Sequence, residues 1–110
     1  MTIKLVIFQG DSSDTVQTSV FLDGSRVVNL IADGYDGTFS VVAKLGDAPL
    51  LTQTMIEIDS TFRATLLSDE TNTIPAGTYI GVIQIKNDGL DYRKEEHIKV
   101  QVNQQGYQEA

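Results

Sequence analysis

Apolar and polar positions alternate along most of the chain, the pattern of half-buried strands. Ile3, Leu5 and Ile7 share one face of a first segment. Val16, Val20 and Leu22 share a face of the second, with Thr18 between them. Phe39, Val41, Ala43 and Leu45 do so in the next. Ile56 and Ile58 precede Asp59-Ser60, and Phe62, Ala64 and Leu66 follow it, which predicts a hairpin with a tight turn. In the last segment Ile98, Val100 and Val102 point one way, and His97, Lys99 and Gln101 the other. Tyr79 to Ile85 breaks the rule. Tyr79, Ile83 and Ile85 lie on one face, but Ile80 and Val82 lie on the opposite one. A strand apolar on both faces is central, or it is covered by a partner.

Turn chemistry separates these segments. Asp-Gly occurs at 23–24, 33–34, 36–37 and 88–89, and both residues tolerate the positive φ of tight turns. The spacing between turns, about 8–13 residues, is that of a sandwich or barrel. One short helix is predicted over Ser68–Thr73. Ser68 would cap it, Asp69 and Glu70 would suit its positive end, and Pro75 and Gly77 would stop it.

Composition agrees. Val, Ile and Thr supply 31 of 110 residues, and Ala only 6. β-branched side chains are stiff at χ1 and fit a pleated surface better than a helix. The expected fold is all-β: a single antiparallel immunoglobulin-like β-sandwich of about seven or eight strands over residues 1–102. A polar, frayed tail would follow over 103–110.

Charge and inventory narrow the chemistry. The net charge is −7, and the Lys and Arg residues are scattered along the chain with no basic run, so no nucleic-acid partner is expected. No Cys means no disulfide framework and no thiolate metal site. The apolar run Leu5–Phe8 is too short for a signal peptide or membrane span, so no membrane partner is expected. Nucleophilic catalysis has no Cys, and its single histidine is His97, within a charged strand face. Phosphate-binding glycine motifs are absent. Asp33/Asp36 and Asp11/Asp14 lack the spacing of a calcium loop and read as turn residues. The expectation is a non-enzyme that needs no cofactor and no metal. Tyr35 and Tyr92, in turn regions, are candidate ligand-contacting residues. Ile80 and Val82 are candidate interface residues of a homo-oligomer.

One stretch carries a resemblance. Phe62–Tyr79 runs from a strand ending in Leu67-Ser68 through an acidic turn to Ile74-Pro75-Ala76-Gly77-Thr78-Tyr79. It resembles the N-terminal module of phage baseplate upper proteins and related tail proteins. Gln9-Gly10-Asp11-Ser12 and Phe21–Leu30 resemble that family's opening turn and first hairpin. The chain ends at Ala110 without the family's helical stalk, and Ile31-Ala32-Asp33-Gly34 replaces a threonine-glycine. The resemblance implies a structural protein of a tailed-phage virion, in baseplate, tail or head. It would contact other virion proteins and be assembled in the bacterial cytoplasm. The alternative is a module binding a host-surface glycan or protein. Pro75, Gly77 and Tyr79 would form a structural corner: Pro75 fixes φ, Gly77 frees the turn and Tyr79 anchors the new strand.

Overall fold

The computed structural model describes residues 4–104. It is an all-β sandwich. A five-stranded sheet has the order β1 (Lys4–Phe8), β10 (Tyr92–Asn103), β9 (Gly77–Asn87), β5 (Asp36–Val42), β6 (Leu51–Thr54). A three-stranded sheet has the order β2 (Val16–Thr18), β8 (Thr61–Ala64), β7 (Ile56–Ile58). A short ribbon pairs β3 (Phe21–Leu22) with β4 (Ser25–Arg26). Among the described residues the one α-helix, α1, is the single turn Ser68–Thr71.

Alternation becomes the core. Phe39 and Val41 of β5, Ile83 and Ile85 of β9, and Ile98, Val100 and Val102 of β10 face Val16, Phe62 and Ala64 of the smaller sheet. Leu66 and Ile74 close one end. Two glycines make room for this packing. A Cβ on Gly81 would stand 2.8 Å from both Phe39 Cε1 and Ile98 Cγ1, and one on Gly37 would stand 3.2 Å from the Phe62 ring.

The predicted 59–60 hairpin forms. Asp59 and Ser60 both have positive φ, at 52° and 61°, which suits the right-handed twist of the strands they join. The sheet is mixed rather than purely antiparallel, because β1 runs parallel to β10. Met55 is the point where one extended stretch changes sheets. β6 pairs with β5 in one sheet, β7 pairs with β8 in the other, and the Met55 N–H donates to Gly37 O between them. Alternation over 39–45 outlasts its strand. β5 ends at Val42, and Ala43 and Leu45 are exposed in the loop beyond.

Helix α1 begins one residue earlier than its sequence suggests. Leu67 is the N-cap, and the Glu70 carboxylate accepts from the Leu67 N–H at 2.8 Å. Buried Thr71 then pins the turn at 10–11, donating to Asp11 O and accepting from Gly10 N. Of the expected tail, 105–110 lies outside the described residues, while Asn103 closes β10.

Candidate functional site

The inner face of the five-stranded sheet is committed to the core, so its outer face is one broad surface left for contact. Parity along β9 and β10 decides what stands there. Opposite Ile83 and Ile85, Gln84 and Lys86 point outward; opposite Ile98 and Val100, His97 and Lys99 do. The register then builds rows across the strands. Lys86 is opposite Arg93 on one side and Asp36 on the other. Gln84 lies between Glu95 and Thr38, Val82 between His97 and Ser40, and Ile80 between Lys99 and Val42. Lys99 is in turn opposite Lys4.

Two of these rows set cations side by side: Lys86 with Arg93, and Lys99 with Lys4. Like charges directly opposite on one face cost stability. The outward positions of this sheet carry those four cations against the carboxylates of Asp36 and Glu95, on a chain whose net charge is −7. Arg93 makes a 3.4 Å ion pair with Asp88, both largely exposed, which contributes little. The Glu95 carboxylate is engaged by His97 Nε2 and, at 3.1 Å, by Gln84 Nε2. Those hydrogen bonds, His97's the larger, hold its carboxyl below the ordinary range. Asp36, Thr38, Gln84, Lys86, Arg93 and Glu95 line an open depression of about 560 Å³. Leu45, Asp47 and Pro49 of the 43–50 loop line a second open depression on the same surface, together with Val42, Val82, Gln84 and Glu95.

The inward neighbours on β10 hold the sandwich together. Lys94 Nζ donates to Ser19 O at 2.8 Å and to Thr18 Oγ1 at 3.2 Å, and Thr18 donates to the Glu96 carboxylate. Lys94 and Glu96 are 3.7 Å apart.

The residues singled out from sequence fall in different places. Val82 is only 9% exposed and lines one depression with Leu45, Asp47 and Pro49 of the chain's own 43–50 loop; Ile80 is half-buried. Tyr35 is not an exposed ligand contact. It is 1% exposed in the core, edge-on to Tyr92 with ring centroids 5.5 Å apart. Its hydroxyl finds no hydrogen-bond partner among the described residues. Tyr92 packs half-buried against the same core, and burial, then Tyr35 and Glu96, push its phenol above the ordinary value. The corner of Pro75, Gly77 and Tyr79 is local structure, with Tyr79 OH donating to Pro75 O at 2.6 Å. This is the geometry of a tyrosine corner at the start of a sandwich strand. The scattered cations of the sequence are the real omission. Their parity was visible in the alternation of β10, but the pairings Lys86–Arg93 and Lys4–Lys99 depend on register. Among the described residues, no group of three His, Cys, Asp or Glu side chains is placed to hold a metal ion.

No family model matches the chain, and no curated protein matches it. A solved structure, CopC from Methylosinus trichosporium OB3b, is similar at 12% identity and a TM-score of 0.49. The match covers 96% of this chain and 90% of that one. At that identity the likeness says nothing about this chain's chemistry. The expectation of a virion structural protein or host-surface binding module is not upheld: no family model or curated protein links the chain to a phage, and the similar structure is that of a CopC.

Proposed function

We propose that this chain is a non-enzymatic binding module that takes an anionic ligand on the outer face of its five-stranded sheet. One observation carries the reading: Lys86 and Arg93 stand directly opposite each other beside the 560 Å³ depression, on the cation-bearing face of an acidic protein. Asp36 stands opposite Lys86 on its far side and Asp88 pairs with Arg93 at the surface, yet the two cations themselves meet with no carboxylate between them, and like charges directly opposite do not stabilise. An anion between the two would convert that repulsion into two charge-assisted hydrogen bonds, with the planar guanidinium of Arg93 suited to a carboxylate or phosphate. Thr38 and Gln84 add a hydroxyl and an amide at the same depression. A non-enzymatic role fits the side chains there. His97 is turned to Glu95, and among the described residues no hydroxyl is in hydrogen-bond contact with its ring.

The test is a titration of the ¹⁵N-labelled protein with a polyglutamate peptide at low ionic strength. Amide shifts are expected at Thr38, Gln84, Lys86, Arg93 and Glu95, and they should weaken as salt is raised. Lys86→Glu with Arg93→Glu should abolish them while leaving the fold intact, since both side chains are exposed. Shifts elsewhere, or shifts that survive the double variant, would refute the assignment.

A further inference from the structure

Resting on that reading, we infer that the ligand is an extended acidic polypeptide segment lying along β10, with acidic side chains six residues apart. The two cation pairs are not neighbours. Arg93 and Lys99, one from each pair, are six residues apart on the same strand and on the same face. At about 3.3 Å per residue, that places the pairs roughly 20 Å apart. A compact anion such as phosphate or citrate reaches one pair only. An extended chain has a side-chain period of two, so its residues i and i+6 point the same way and span the same 20 Å.

What lies between the pairs also fits a polypeptide. The intervening outward positions on β10 are Glu95 and His97, which are bonded to each other, and their neighbours on β9 are Gln84 and Val82. Such a middle stretch suits uncharged residues and repels added negative charge. A single-stranded nucleic acid would set a phosphate against Glu95. It would also find no Phe, Tyr or Trp for base stacking among the outward positions 78–86 of β9 or 93–101 of β10. The 43–50 loop, which leaves β5 at Val42, bounds a depression reaching Gln84 and Glu95, and so borders the middle stretch rather than either cation pair.

The experiment uses fluorescence anisotropy with two labelled twelve-residue peptides of Ser, Thr and Gly. One carries Glu at positions i and i+6, the other at i and i+2. An oligothymidylate and inorganic phosphate serve as competitors. The i, i+6 peptide should bind about threefold more tightly at low salt, and Lys99→Gln, at an exposed position, should remove that advantage. Equal affinity for the two peptides would overturn the inference, as would a Lys99→Gln variant that still discriminates. Binding of inorganic phosphate alone, lost in Lys86→Glu with Arg93→Glu, would leave the anion-binding face standing without the extended ligand. Tighter binding of the oligothymidylate would replace the polypeptide by a nucleic acid. If no probe binds in a way that Lys86 and Arg93 control, the anion-binding reading itself falls.

Discussion

Gly81→Ala should destabilise the sandwich although the new side chain is a single methyl. Gly81 lies in β9, between β10 and β5, so the backbone is held from both sides. A Cβ there would be 2.8 Å from Phe39 Cε1, 2.8 Å from Ile98 Cγ1 and 3.0 Å from Val100 Cγ2. Carbon–carbon contacts are normally about 3.5–4.0 Å, so three side chains must retreat together. All three are nearly fully buried. Overpacking of this kind costs about 1–3 kcal/mol. Alanine restricts the unfolded chain and returns about 0.4–1 kcal/mol of that. The net loss is about 1–2 kcal/mol, a fall in Tm of about 5–15 °C for a domain of this size. Thermal melts and urea unfolding at constant m would measure it. The contact itself is tested by Phe39→Leu, which frees space above Gly81. If the clash is the cause, the double variant should lose less than the two single losses added. A Gly81→Ala protein within about 0.3 kcal/mol of the parent, or strict additivity, would refute the reasoning.

Four further outcomes are expected. Tyr35→Phe removes a buried hydroxyl without a partner among the described residues, so stability should hold or rise by up to about 1 kcal/mol; a clear loss in a urea melt would mean the hydroxyl is bonded. Tyr79→Phe removes the donor to Pro75 O and should cost about 0.5–1.5 kcal/mol by the same assay, with no change meaning that the corner holds by packing alone. Glu57→Gln weakens the carboxylate that accepts from the Leu30 and Ile31 N–H groups, so hydrogen exchange should quicken at those two amides, and unchanged protection would show the loop is held otherwise. For Glu95 the folded pKa lies below its ordinary 4.5, so its contribution is present above that value and fades as pH falls through the lower folded one; Glu95→Gln should flatten the stability–pH curve in that acid window, and an unchanged slope would show the bond to His97 is immaterial.

Strand parity was legible because a two-residue period leaves no choice once one face is buried. Phe62, Ala64 and Leu66, and Ile98, Val100 and Val102, are inside as their alternation requires. Three features were not. The parallel pairing of β1 with β10 is a matter of topology, and a strand buried on one face reads alike in either direction. The change of sheets at Met55 depends on a backbone bond to Gly37, eighteen residues upstream. Tyr35 lies between two Asp-Gly pairs, which mark a surface turn in any local reading. A distant side chain helps turn it inward: Asn87 Nδ2 donates to Asp33 O at 2.9 Å, while the Tyr35 N–H donates to Leu30 O.

The candidate site shows where that limit lies. Alternation tells that Lys86, Arg93 and Lys99 point outward, but not what each one faces. Lys86 and Arg93 are seven positions apart in the chain, and they meet because the turn between β9 and β10 takes one form. Asn87 caps a 3₁₀ turn over Asp88–Leu90, accepting from Leu90 N, and Asp91 follows with φ 51°. That turn sets Asn87 opposite Tyr92, and every later pair on the two strands follows from it. A slip of one residue would turn the outward set inward and bury charge. The hydrophobic face therefore fixes the parity, the turn fixes the pairing, and the repulsion between Lys86 and Arg93 is a consequence the fold tolerates. That pairing of two cations beside an open depression, with Asp36 and Asp88 only at its flanks, is the physical basis of the proposal that an anion binds there.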